Sequence, residues 1–220
     1  MTPAQREKAG ELLRHGLSAD GLRKTTNIIE LENVLREMGG NPNVRDPELY
    51  FFSIFSAPSQ KEPWGWRFEG HHLSLNYTFA NGEVVATAPS FMGANPAEVR
   101  TGSKKGMRAL APEEDLAREF VNALTPAQRS AATIAAAAPS DIITMNNREV
   151  SPLTPAGIRI TELDNSQRER LIRVVDEYLN RMESAIARQR RARLQRSDIS
   201  QITFAWAGSI ERGQPHYYRI

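Results

Sequence analysis

His71 and His72 stand side by side, separated from Glu69 by one glycine, with Arg67 two residues further back. They lie in Trp64-Gly-Trp-Arg-Phe-Glu-Gly-His-His-Leu-Ser-Leu-Asn-Tyr-Thr-Phe79, which holds two of the four histidines and two of the three tryptophans. Imidazole moves protons near neutral pH and is a common metal ligand. A neighbouring carboxylate such as Glu69 can orient it or act as a general base, and a guanidinium such as Arg67 suits an anionic substrate group. His216, near the other end of the chain, is a third imidazole. If the two regions share a sheet, His71 or His72, His216 and a carboxylate converge. That donor set suits a divalent transition metal such as Zn, Fe, Cu or Mn. The spacing matches no standard metal motif such as H-E-x-x-H. Structural alternatives stay open: one histidine capping a bulge, the other on the surface, and Arg67 with Glu69 as a solvated ion pair. Trp64 and Trp66 fit a core better than a ligand pocket.

The elements that position these residues are partly legible. Before Gly70 the apolar residues are Trp64, Trp66 and Phe68; after it they are Leu73, Leu75, Tyr77 and Phe79. A strand alternates faces with period two, so this switch at Gly70 requires a bulge or a tight bend. Asn81-Gly82 predicts a hairpin between residues 77–79 and 84–87. The run 49–55 reads as a strand buried on both faces. Thr2-Pro-Ala-Gln-Arg recurs as Thr125-Pro-Ala-Gln-Arg, with Asp164-Asn-Ser-Gln-Arg as a variant. Each carries an N-cap oxygen and a Gln three residues on, the capping-box grammar of a helix start. Helices are expected over 3–17, 20–38, 113–123, 126–137 and 165–194, with a further short one starting at Asn95. Residues 141–162 read as irregular, and 201–207 with 215–220 as a terminal hairpin. Strands and helices fall in blocks. That predicts an α+β fold, an antiparallel sheet with hairpins packed against several helices, as a single domain over 1–220.

Composition narrows the function. The formal net charge of the 220 residues is +2, too small for a generally cationic surface. Arg188 to Arg196 is the one basic run, and it lacks interleaved aromatics, so it reads as a solvated helix end rather than a nucleic-acid site. No P-loop, G-x-G-x-x-G or G-x-S-x-G occurs. Zero cysteines exclude disulfides, thiolate metal sites and a cysteine nucleophile. No apolar run reaches membrane-spanning length and no signal peptide opens the chain, so the expectation is a soluble protein, cytoplasmic by default, with no membrane partner. A small-molecule substrate fits this better than nucleic acid. Oligomeric state is not legible.

The segments Trp64 to Thr78, Phe91-Met-Gly-Ala-Asn-Pro-Ala-Glu-Val99, Glu113 to Glu119, Phe204-Ala-Trp-Ala-Gly208 and His216-Tyr-Tyr-Arg-Ile220 together resemble the domain-of-unknown-function family numbered 3500, an uncharacterised and mainly bacterial group. The resemblance covers most of the chain and implies no activity. It implies that members extend before the first helix and past the equivalent of Ile220, into an Asn-rich segment with a His-x-His pair. This chain would then be truncated at both ends, with an incomplete histidine site. Two functions follow as expectations. One is a His-ligated, metal-dependent enzyme, hydrolytic or oxidative, with His71, His72 and His216 as ligands, Glu69 as orienter or base and Arg67 as a substrate contact. The other is a non-catalytic binding or structural module without metal.

Overall fold

The structure, a computed structural model, describes residues 2–145, 147, 149, 151 and 153–220. In chain order the elements are α1 (Pro3–Gly16), α2 (Ala19–Glu37), β1 (Tyr50–Phe55), β2 (Trp64–Gly70), β3 (Leu73–Ala80), β4 (Glu83–Ala86), β5 (Ser90–Met92), α3 (Ala111–Asn122), α4 (Pro126–Ala132), β6 (Thr133–Ala135), β7 (Ile158–Arg159), α5 (Asn165–Leu179), α6 (Ser184–Arg196), β8 (Thr203–Gly208) and β9 (His216–Arg219). The fold is α+β. Contacts group the chain into two compact units, residues 1–111 with 180–188, and residues 112–179 with 189–220.

The first unit is built on an antiparallel sheet in the order β1-β2-β3-β4, with β5 also paired to β3. Residues opposite one another across a ladder share a face. Tyr50, Phe52, Trp66, Phe68, Leu73, Leu75 and Tyr77 therefore form an inner face, packed with Leu13, Leu17, Ile28 and Leu31 of the helical region. Close approach is exact at Gly16, where a Cβ would sit 2.9 Å from the Trp66 and Tyr77 rings. Tyr77 donates a 2.6 Å hydrogen bond to the Gly16 carbonyl there. In the second unit β8 is central, antiparallel to β7 and β9 and parallel to β6. Its Phe204 and Trp206 are buried with Phe120, Val121, Leu171 and Val174.

All three capping boxes form. Thr2 and Thr125 accept from the Gln5 and Gln128 amides, and Asp164 accepts from Gln167 N while Gln167 Oε1 accepts from Asp164 N.

Four local expectations are corrected. β1 is not buried on both faces: among the described strands it pairs with β2 alone, leaving Phe51, Ile54 and Phe55 at 57%, 58% and 50% exposure. An edge strand and a central strand can carry the same apolar run. The helix expected to reach residue 137 ends at Ala132, because Thr133 to Ala135 turn extended and pair with β8. The helix expected over 165–194 breaks between α5 and α6. At the break, Arg181 O accepts from Ser18 N at 3.0 Å, Glu183 N donates to Gly16 O at 3.0 Å, and Ser18 Oγ donates to Asn180 O at 2.6 Å. These tertiary bonds replace intrahelical ones. Asn95 starts no helix; residues 93–100 are irregular. Residues 141–162 are largely irregular as expected until the short β7 and a 3₁₀ turn at Ile160–Glu162, although 146, 148, 150 and 152 of that stretch lie outside the described residues.

Candidate functional site

The face switch at Gly70 is a two-residue hairpin turn, with Gly70 paired to Leu73 and His71-His72 at its tip. His72 takes the left-handed region at φ 62°. Gly70 has no room for a side chain: a Cβ would lie 2.3 Å from the Tyr50 ring. The ring uses that space to carry its hydroxyl to the turn, where it donates a 2.8 Å hydrogen bond to the His71 carbonyl. Burial, and then the nearby Glu32 carboxylate, push the Tyr50 hydroxyl above its ordinary pKa, with Arg45 opposing. Tyr50 is thus held as a donor.

The His71 side chain turns toward α2. Its Nδ1 is hydrogen-bonded to Glu32 Oε1, and the Glu32 side chain is only 2% exposed while that of His71 is 32% exposed. Among the described residues Glu32 Oε2 has no hydrogen-bond partner, and it lies 4.0 Å from Arg45 Nη1. Arg45 Nη1 is 3.0 Å from both ring nitrogens of His71. The two nitrogen lone pairs diverge in the ring plane, so a donor equidistant from both lies along neither. The guanidinium rests against the imidazole and keeps donors for another acceptor. The His72 ring stacks on His71 with centroids 4.0 Å apart and planes 23° apart.

Lone pairs lie in the ring plane, so two stacked imidazoles aim theirs side by side and not at a common point. Among the described residues no three His, Asp or Glu side chains form a group able to hold a metal ion. His216 lies in the second unit, on β9. Its Nδ1 is 2.9 Å from Arg118 Nη2 and 3.2 Å from the Gln214 carbonyl, and its ring stacks on Trp206 at 5.3 Å. Arg118, its side chain 8% exposed, also donates to the Ser209 and Glu211 carbonyls and pairs with Glu114 at 3.1 Å. Arg67 and Glu69 form a 2.9 Å ion pair, with side chains 37% and 39% exposed. They share the outer sheet face with Phe51, Ser53 and Phe55, and the Arg67 guanidinium lies 5.5 Å from the Phe55 ring centroid. The carboxylate on His71 is therefore Glu32, and Glu69 is engaged by Arg67.

The model for the family described as Protein of unknown function (DUF3500) matches residues 1–220, the whole chain. The chain belongs to the DUF3500 family. No curated protein and no solved structure matches it. No helix among the described residues is long and apolar enough to cross a membrane.

Three members of the DUF3500 chain's His71 cluster, Glu32, Arg45 and Tyr50, are separated from the histidine by sequence and escaped sequence reasoning. A signal for one of them was present. Ile28, Leu31 and Leu35 lie at helical spacing on α2, and Glu32 interrupts that apolar stripe with a carboxylate. A charged group on a core-facing stripe is seldom buried without a partner. Arg45 and Tyr50 carried no such mark.

Proposed function

We propose that the β2–β3 turn carries a carboxylate–histidine proton-transfer site of a hydrolytic enzyme acting on a small anionic molecule. The observation that carries this reading is the buried Glu32 carboxylate bonded to the partly exposed His71 imidazole. A carboxylate accepts, so Nδ1 supplies the proton of that bond and Nε2 is the nitrogen that takes a proton from water or substrate. Arg45, at 27% exposure, brings positive charge to the same place and would receive the anionic group. Tyr50 fixes the turn and Glu32 fixes the ring, which is the support that general-base geometry requires.

A panel of small chromogenic phosphate and carboxylate-bearing esters, assayed with wild type, His71→Ala and Glu32→Gln, tests the reading. Turnover that falls by about 10²-fold or more in His71→Ala, the usual scale for loss of a general acid–base group, supports it. Turnover indifferent to His71→Ala, or none on any ester, sinks it.

A second reading keeps the same contacts as structural pins of a non-catalytic module, favoured by the Tyr50 bond to the His71 main chain. It predicts that His71→Ala lowers stability with no activity to lose. Elemental analysis of chelator-free protein addresses a metal-dependent version. Near-stoichiometric Zn, Fe, Cu or Mn that disappears in His72→Ala would replace the proton-transfer mechanism by a metal-assisted one.

A further inference from the structure

A groove of about 440 Å³ opens in the first unit, walled by Gly10, Leu13, Ile29, Phe51, Phe52 and Phe68. The volume falls in the range of small-molecule sites. Its floor is aromatic: Phe52 and Phe68 lie 4.7 Å apart and Tyr50 stacks on Phe68 at 5.8 Å.

Gly10 is the telling residue. It sits mid-helix in α1 without a positive φ, and among the described residues a Cβ there would meet nothing nearer than the Arg14 guanidinium at 3.9 Å. Neither a turn nor internal packing requires glycine, and glycine is a poor helix former. What its missing side chain provides is room in the groove. Arg6 and Glu48 also line the groove. They are ion-paired with each other, their side chains 53% and 60% exposed. A ligand with one charge can engage only one member of that pair, whereas a head carrying both charges engages each.

We propose that this groove binds a small zwitterion with an apolar body, the chemistry of a free apolar α-amino acid. The side chain lies against Phe52 and Phe68, the carboxylate meets Arg6 and the ammonium meets Glu48. The proposal goes beyond the His71 reading and does not depend on it.

Calorimetric titration of the full chain with L-phenylalanine, 3-phenylpropionate and phenethylamine tests it. L-phenylalanine is expected to bind, with the two singly charged analogues weaker by roughly tenfold or more. Gly10→Leu, which fills the groove, is expected to abolish binding, and Arg6→Ala and Glu48→Ala each to weaken it by roughly tenfold. If Gly10→Leu does not fold, as judged by circular dichroism, the two exposed charge variants decide. Absence of heat with L-phenylalanine overturns the proposal. So does equal binding of 3-phenylpropionate, or affinity unchanged by all the variants.

Discussion

At the level of single residues, the two imidazole environments are built differently. His71 faces a buried carboxylate and an arginine, while His216 faces the Arg118 guanidinium and the Trp206 ring. Burial is the main cause that pulls the His216 pKa below its ordinary 6.5, with Arg118 acting in the same direction and the Gln214 carbonyl and Glu114 opposing. The folded state therefore binds fewer protons at this site than the unfolded chain. The stability it contributes is complete above the ordinary value of 6.5 and is lost as pH falls through that value toward the lower folded one. Urea midpoints measured at about pH 8 and about pH 5 should show a drop attributable to His216, and the drop should shrink in His216→Phe. A pH response identical in the variant would mean that His216 is not the group responsible.

At the level of elements, the break between α5 and α6 shows tertiary contacts overriding a local pattern. Nothing between Leu179 and Ser184 is a proline or glycine, and apolar residues continue at helical spacing through Met182 and Ile186. The break is set by hydrogen bonds with the α1–α2 connection and by Gly21, where a Cβ would lie 2.0 Å from Arg181 O. Two glycine-to-alanine substitutions separate propensity from packing. Gly10→Ala, whose Cβ would make only ordinary van der Waals contact with the Arg14 guanidinium at 3.9 Å, should stabilise by about 0.5–1 kcal/mol through helix propensity. Gly21→Ala has the same propensity gain but collides with backbone, and should destabilise by about 1–3 kcal/mol net. Equilibrium urea denaturation reads both, and a stabilising Gly21→Ala would show that the contact relaxes freely. The helix starts needed no such help. Thr2, Thr125 and Asp164 carry their caps within three residues, so local sequence sufficed.

At the level of the whole molecule, the chain leaves the first unit after residue 111, builds most of the second, returns for 180–188 and leaves again. Residues 180–183 are tied by backbone hydrogen bonds to the α1–α2 connection, so the returning segment is integral to the first unit. Unfolding 112–179 would free one end of that segment from its anchor. We therefore expect one cooperative transition. Trp64 and Trp66 report on the first unit and Trp206 on the second. Fluorescence transitions of Trp206→Phe and of the double variant Trp64→Phe/Trp66→Phe, each compared with circular dichroism of the same protein, should coincide. Separated midpoints would show that the units unfold independently.

Sequence by itself determined the α+β class, the hairpin at Asn81-Gly82, three capped helix starts, the terminal hairpin and the tight bend at Gly70. These depend on interactions spanning a few residues, or on the two-residue and 3.6-residue periods of strands and helices. Tertiary structure alone decided that β1 is an edge, that residues 133–135 leave their helix for a strand, and that the α5–α6 helix breaks. It also decided which carboxylate serves His71. Glu69 is two residues away in sequence but faces Arg67 on the outer side of the sheet, whereas Glu32 is 39 residues away and packs beneath the turn. Partners that distant are selected by how α2 packs on the sheet, and no local period encodes that choice.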